Sequence, residues 1–151
     1  DKEDLAKEFM EKGAGKLFLP VDTVEANAFD NGTDIKTVKS GEVDDGYQGL
    51  DIGAETVALF TKELEGAKTV FWNGPMGVFE KPEYANGTIE VCKAIASLEG
   101  ATTIIGGGDS ASAAKNLGFA DKFSHISTGG GASLEFMEGK ELPGVAIIPE
   151  K

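Results

Sequence analysis

Three consecutive glycines, Gly106 to Gly108, stand between a β-prone run and the pair Asp109 and Ser110. This order of residue types predicts a strand over 102–105, a tight turn and a helix that ends near Leu117. The first turn of a helix carries backbone N–H groups without partners, which attract anions. Glycine permits positive φ angles and lets a phosphate approach the backbone without meeting a side chain. The stretch therefore predicts a phosphate-binding turn.

Asp109 has two interpretations. An unshielded carboxylate repels a phosphate beside it, so its presence in a phosphate-binding turn indicates a divalent cation between the two groups. An aspartate at a helix start is equally well explained as a simple N-cap. The residue alone leaves both possibilities open.

The same glycines also fit a loose dinucleotide-binding pattern, G-x-G-x-x-A, with Ala111 in the last position. That pattern requires an acidic residue about 20 residues on, at the end of the next strand, to hold a ribose. The strand predicted near 123–127 does not end in one, and the sequence contains no G-x-x-x-x-G-K-[ST] phosphate loop. We therefore discount a dinucleotide site.

The other elements alternate between short apolar runs and amphipathic stretches. Further strands are predicted over 16–22, 68–72 and 124–127, and further helices over the first dozen residues, 82–98 and 132–138. Another helix is predicted to start in 49–53, capped by Asp51, and to bury Val57, Phe60 and Leu64. The polar segment 27–46 is predicted to be irregular, with one extended piece over 35–39. Alternating strands and helices indicate the α/β class with a mainly parallel sheet.

Two more glycine-rich turns follow predicted strands, Asn73 to Gly77 and Gly129 to Gly131. In a parallel α/β sheet, ligands bind beyond the carboxyl ends of the strands. Steric demands explain any one such turn by itself. Three turns at one edge of the sheet predict a phosphate-rich site much better than one does.

Composition excludes several classes of partner. The 151 residues carry a net charge of −12, which argues against nucleic acid and anionic membranes. All 14 basic residues are lysines, so any acidic substrate must be held without an arginine clamp from this chain. The single cysteine, Cys92, is expected to be a buried structural residue. It can form no internal disulfide, which predicts a reducing, cytoplasmic location.

The motifs together closely resemble phosphoglycerate kinase. The resemblance rests on Phe71 to Glu80 (FWNGPMGVFE), Gly106 to Ser110 (GGGDS) and His125 to Glu135 (HISTGGGASLE). The shorter motifs Leu19 to Asp22 and Leu50 to Gly53 stand in the expected order and spacing. The resemblance covers essentially the whole chain, but less than half of the family's length. It implies the carboxyl-terminal part of the nucleotide-binding domain, an incomplete three-layer α/β sandwich with a mainly parallel, Rossmann-like sheet.

The resemblance implies a glycolytic phosphotransferase. The family moves a phosphoryl group between 1,3-bisphosphoglycerate and MgADP, giving 3-phosphoglycerate and MgATP. Its acidic-substrate site belongs to an amino-terminal domain that lies outside this sequence. Two lysines that contact the phosphates would also precede residue 1. The resemblance therefore implies a piece of a larger protein, with doubtful activity when isolated.

The resemblance also implies roles for individual residues. Asp109 would meet the Mg²⁺ ion that accompanies ADP or ATP. The nucleotide phosphates would lie against Asn73, Gly107, Gly108 and Ser110. The adenosine would be held by Phe29, Gly49, Leu50, Gly74 and Val78, with Glu80 accepting hydrogen bonds from the ribose hydroxyls. The transferred phosphoryl group would meet the amides of Gly129, Gly130 and Gly131.

Two other functions compete with a piece of phosphoglycerate kinase. One is a stand-alone nucleotide-binding or interaction module without catalysis. The other is a piece of a nicotinamide-dependent enzyme, which the missing ribose acid and the position of Asp109 disfavour. The intact length of the natural protein separates the first alternative from the kinase.

Overall fold

The computed structural model describes residues 2–149, in which short strands alternate with helices. The strands are β1 (Asp22–Ala26), β2 (Ile35–Lys39), β3 (Gln48–Ile52), β4 (Thr69–Asn73), β5 (Thr102–Gly106) and β6 (His125–Ser127). The α-helices are α1 (Glu3–Lys12), α2 (Ala54–Leu64), α3 (Asn86–Ala96), α4 (Gly108–Asn116), α5 (Gly130–Met137) and α6 (Pro143–Ala146). Single 3₁₀ turns occupy 82–84 and 120–122.

The strands form two three-stranded sheets of different kinds. One sheet is parallel, in the order β4-β5-β6, and the other is antiparallel, in the order β2-β1-β3. The parallel sheet contains the strands predicted before the three glycine-rich turns. The extended piece predicted over 35–39 is confirmed as β2, which pairs with β1.

Helices lie on both faces of the parallel sheet. Trp72 and Ile105 point toward α2, α3 and α4, and with Val91, Cys92 and Ile95 they form the main hydrophobic core. The opposite face carries α5 and α6, which with the sheet line a cleft of about 680 Å³. This arrangement confirms a three-layer α/β sandwich. Val57, Phe60 and Leu64 pack against the core as predicted.

The strand predicted over 16–22 is wrong. Residues 17–20 are irregular and β1 begins only at Asp22. Leu17, Phe18 and Leu19 are 45%, 41% and 47% exposed, because no strand within residues 2–149 pairs with them. Their apolar character resembles a buried strand, but the pairing that would bury them is not made by the described part of the chain.

The helix predicted to start in 49–53 under an Asp51 cap is also wrong. Residues 48–52 form β3, and α2 begins at Ala54. The first turn of α2 is capped by Asp22 of β1, whose carboxylate accepts the N–H groups of Glu55 and Thr56 at 3.0 and 2.8 Å. Burial disfavours the charged Asp22, but the hydrogen bonds from Thr56 and Glu55 outweigh it and lower the pKa of this carboxyl. Asp51 caps a different helix, described below.

Apolar surface remains uncovered on both sides of the parallel sheet. One cleft, of about 440 Å³, is lined by Leu17, Phe18 and side chains of α2 and β4. On the opposite face, Phe136 is 66% exposed and Ile147 is 82% exposed. Side chains of this size are seldom left open in such number on a free-standing domain. In the described residues β4 has only one neighbouring strand, so the other edge of β4 is open.

Cys92 is expected to resist alkylation in the folded protein. Its side chain is fully buried, and burial raises the pKa of the Cys92 thiol to about 11. Because the thiolate is the nucleophile, iodoacetamide at pH 8 should react at least about 100-fold more slowly than with the unfolded chain. Mass spectrometry of samples labelled with and without guanidinium measures the ratio. Equal rates would contradict the burial of Cys92.

Candidate functional site

The carboxyl ends of β4, β5 and β6 lie side by side and bring the three glycine-rich turns together. Asn73 pairs with Gly106 across β4 and β5, and Gly106 pairs with Ser127 across β5 and β6. Beyond these ends, the N–H of Gly107 donates to the carbonyl oxygen of Ser127 at 3.0 Å. Sequence-based reasoning predicted this shared edge, and the register of the strands confirms it.

The two glycine triplets touch each other. A Cβ atom added to Gly130 would lie 2.8 Å from the Cα atom of Gly107 and 3.0 Å from the side-chain oxygen of Asn73. Gly107 has a φ of 96°, a conformation that strongly favours glycine. Gly107 is the N-cap of α4 and Gly130 is the first residue of α5, so two helix N-termini meet at this point. The joined N-termini present a concentration of positive helix-dipole ends to one small region.

Ser110 connects the turn from Gly106 to Gly108 with the turn from Asn73 to Gly77. Its side chain is fully buried, and its Oγ accepts the N–H of Gly74 at 2.7 Å. The hydroxyl is therefore engaged within the protein. The hydroxyl keeps its own proton to donate, so a phosphate role for Ser110, together with the backbone amides at the start of α4, stays a prediction.

Asp109 is exposed in the first turn of α4, next to the exposed Gly108. The N-cap position is taken by Gly107, so Asp109 is not the cap residue that one of its two interpretations requires. Within residues 2–149 there is no cluster of three or more His, Cys, Asp or Glu side chains that could enclose a metal ion. A single carboxylate nevertheless suits Mg²⁺, which proteins commonly hold through one or two carboxylates together with substrate phosphates.

A second group of predicted residues lines an open cleft of about 390 Å³. Gly49 and Leu50 of β3 form one wall, and Gly77 and Val78 form the other. The N–H of Val78 donates to the carbonyl oxygen of Leu50 at 2.9 Å, so the walls are joined at their base. Leu50 is buried, and Val78 packs on the small core that Leu50 shares with Ala26 and Tyr84.

The other predicted residues are not among those that line this cleft. Phe29 is 43% exposed, and its ring lies under the ammonium of Lys81 at 4.6 Å. Glu80 is exposed at the end of the turn that begins at Asn73. Neither lines the cleft beside Leu50. Gly129 donates its N–H to Ser127 Oγ at 3.2 Å, and Gly131 is exposed in α5.

Sequence reasoning missed two buried polar residues next to the cleft. Thr88 is fully buried, and its Oγ1 accepts the N–H of Met76 at 3.1 Å. Asp51 is 5% exposed and accepts the N–H of Gly87 at 2.7 Å, which caps α3. Burial raises the pKa of Asp51, against the effect of the N–H donors of Gly87 and Ile52. A threonine in the N-G-T run that begins α3 and an aspartate between two apolar residues give no sign in the sequence of these long-range partners.

Known proteins resemble this chain in sequence and in fold. The family model for phosphoglycerate kinase matches residues 1–140. The phosphoglycerate kinases of Macrococcus caseolyticus and Enterococcus faecalis are each 64% identical over all 151 residues. Among solved structures, phosphoglycerate kinase from Coxiella burnetii matches 95% of the chain with a TM-score of 0.86 and 38% identity. The enzyme from Pyrococcus horikoshii OT3 matches 97% with a TM-score of 0.82 and 35% identity.

The chain is considerably shorter than these relatives. It spans 38% of the length of the two bacterial kinases, and 38% and 36% of the two solved chains. Among residues 2–149, none of the helices has the length and apolar character needed to cross a membrane. The match in sequence and in fold extends over most of the chain and shows its family. The chain belongs to the phosphoglycerate kinase family.

Proposed function

We propose that the chain is the carboxyl-terminal part of the nucleotide-binding domain of a phosphoglycerate kinase. In this proposal it binds MgADP or MgATP for phosphoryl exchange between 1,3-bisphosphoglycerate and 3-phosphoglycerate. The observation that carries the proposal is the contact between the glycine triplets, where Gly130 lies against Gly107 and Asn73. Two helix N-termini joined in this way form a natural site for a chain of phosphates.

The backbone supplies the donors on the phosphate side. The first-turn N–H groups of a helix have no acceptor within the helix, so α4 and α5 each offer amides at their meeting point. Gly107 and Gly108 give a ligand close access to α4, and Gly129 to Gly131 do the same at α5. Phosphoryl transfer depends mainly on positioned donors that stabilise charge on the transferred group. The glycine triplet of α5 is the part of the chain that would perform this function.

The cleft between Leu50 and Val78 fits the adenine. Its lining combines glycine backbone and the polar Thr23 and Asp51 with apolar side chains, among them Leu50, Met76 and Val78. The apolar part suits a flat aromatic ring. Gly49 and Gly74 would let the ring and ribose approach the chain closely. Phe29 and Glu80 are not part of the cleft lining; in the proposal Phe29 would pack on the adenosine and Glu80 would accept hydrogen bonds from the ribose hydroxyls.

Asp109 would hold the nucleotide-bound cation. When bound, Mg²⁺ neutralises phosphate charge between the nucleotide and this carboxylate. The acidic substrate would be held by other parts of the protein, because this chain has 14 lysines, no arginine and a net charge of −12.

The proposal is tested by Asp109→Asn in the natural protein that contains this chain. The wild type should bind ADP more tightly with Mg²⁺ than with EDTA. In the variant, binding with EDTA should be unchanged or slightly stronger, since a negative charge near the phosphates is gone. The enhancement by Mg²⁺ should largely disappear, a loss of about tenfold or more, because one charge-assisted contact contributes about 1.5–3 kcal/mol. Calorimetric titration measures all four affinities.

The matched control is Asp121→Asn. Asp121 is also exposed, but it precedes β6 and so lies at the opposite end of the parallel sheet. Its replacement should leave the Mg²⁺ enhancement intact. If Asp109→Asn keeps the full enhancement, Asp109 does not hold the cation and the assignment of the phosphate side fails.

A further inference from the structure

The segment from Asn73 to Glu80, here called the site turn, is anchored at its centre by backbone hydrogen bonds. Thr88 Oγ1 accepts two N–H groups, from Met76 at 3.1 Å and from Gly77 at 3.4 Å. The next N–H, that of Val78, donates to the carbonyl oxygen of Leu50 at 2.9 Å. Three consecutive amides are thus bound to two different elements, α3 and β3.

The buried carboxylate of Asp51 contacts both parts of this anchor. Asp51 Oδ2 accepts the N–H of Gly87 at 2.7 Å, immediately before Thr88 in α3. A Cβ atom on Gly77 would lie 2.4 Å from Asp51 Oδ1, and a Cβ atom on Gly87 would lie 2.3 Å from it. The site turn and the start of α3 therefore both pack directly on the Asp51 carboxylate. Glycine at these two positions is required by close contact with Asp51.

The anchor determines the shape of the cleft assigned to the adenine. Gly77 and Val78 form one wall, and their position relative to Leu50 depends on the hydrogen bonds to Thr88 and to the Leu50 carbonyl. The start of the site turn depends on a different contact, since the N–H of Gly74 donates to Ser110 Oγ in α4. The two halves of the site turn are accordingly positioned by two separate buried hydroxyl groups.

We propose that Thr88, supported by Asp51, is a positioning residue that sets the width of the adenine cleft without touching the nucleotide. This inference rests on the proposed nucleotide function. It predicts a base-specific defect. Loss of the Thr88 hydroxyl should weaken the binding of ADP but leave that of pyrophosphate, which lacks the base, nearly unchanged.

The test is Thr88→Val in the natural protein. Valine keeps the shape of threonine but has no acceptor, so the amides of Met76 and Gly77 lose their partner in a buried position. The affinity for MgADP should fall about tenfold, whereas that for magnesium pyrophosphate should change less than about twofold. Thr88→Ser retains the hydroxyl and should restore the ratio of the two affinities.

Thr56→Val provides a matched control. Thr56 is also fully buried in the first turn of its helix, and its Oγ1 accepts two backbone amides, those of Val21 and Asp22, at 3.0 and 3.1 Å. The Thr56 hydroxyl in addition donates to Asp22. Its replacement should cause a comparable loss of stability but leave the ratio of ADP to pyrophosphate affinity as in the wild type. A merely structural role for Thr88 would make the two valine variants indistinguishable in this ratio.

Hydrogen exchange of the wild type gives a second measurement that does not depend on a variant. The amides of Met76 and Gly77 should be strongly protected in the nucleotide-free protein. Rapid exchange of both amides, or equal losses of ADP and pyrophosphate affinity in Thr88→Val, would overturn the inference. A wild type that binds pyrophosphate and ADP equally well would overturn the adenine assignment itself, and a wild type that binds neither would overturn the proposed function.

Discussion

A polypeptide of only these 151 residues is expected to show no phosphoryl transfer between MgATP and 3-phosphoglycerate. In the proposed function the helix N-termini and the cleft would hold the nucleotide, but the chain has no arginine with which to clamp the acidic substrate. It spans 38% of the length of its kinase relatives. Holding two reactants in line contributes about 7–11 kcal/mol to catalysis, so a chain that positions only one of them should lose at least about 10⁵-fold in rate.

A coupled assay that follows ADP formation measures the rate of phosphoryl transfer by the isolated chain. The natural protein, assayed at the same concentration, provides the positive control, and buffer provides the baseline. ADP binding by the isolated chain should be measured in parallel, because weak binding without turnover shows that the chain is folded. Turnover above buffer that scales with the concentration of the chain would show that the acidic substrate is bound by these residues.

The parallel half of the fold was predictable because its local patterns are strong. β4, β5 and β6 are short, β-prone and followed by glycine-rich turns, and parallel strands must present those turns at one edge. The association of Asn73, Gly107 and Gly130 therefore followed from the sequence. Helix faces such as Val57, Phe60 and Leu64 were predictable from their spacing for the same reason.

The antiparallel half was not predictable from local patterns, because its boundaries depend on contacts between distant residues. Asp22 begins β1 and caps α2, more than 30 positions further along the chain. Asp51 has the sequence position of a cap for α2 but caps α3 instead. Leu17 to Leu19 have the composition of a buried strand, yet they pair with no strand of residues 2–149. Composition indicates a tendency, whereas long-range hydrogen bonds decide where an element begins.

The site shows the same difference between residues with local patterns and residues with long-range contacts. The glycine-rich turns could be located from the sequence because their residue pattern is local, and their binding of phosphates stays a prediction. Ser110 was identified for the phosphates, but the structure shows its hydroxyl bound to Gly74. Thr88 and Asp51 were missed because each acts on a turn that is remote from it in the chain. Residues that position a site are harder to predict than residues that form its surface.

Gly130→Ala is expected to separate the two helix N-termini and to disable the site. The added Cβ atom would lie 2.8 Å from the Cα atom of Gly107 and 3.0 Å from its nitrogen, both backbone atoms that no side-chain rotation can move. Helix α5 must therefore shift away from α4. Such overpacking costs about 1–3 kcal/mol of stability. If α4 and α5 hold the phosphates as proposed, a displacement of about 1 Å between them should lower turnover about 100-fold.

The neighbouring residue of the same triplet provides the control. A Cβ atom on Gly131 would meet nothing within 4 Å, and Gly131 lies within α5. Gly131→Ala should therefore leave the free energy of unfolding unchanged or raise it by about 0.5–1 kcal/mol, since alanine favours a helix over glycine. Urea denaturation of both variants in the natural protein, together with their turnover, tests the difference. Equal stability of the two variants would mean that α4 and α5 do not meet at Gly107 and Gly130, and the phosphate site built on that contact would have to be abandoned.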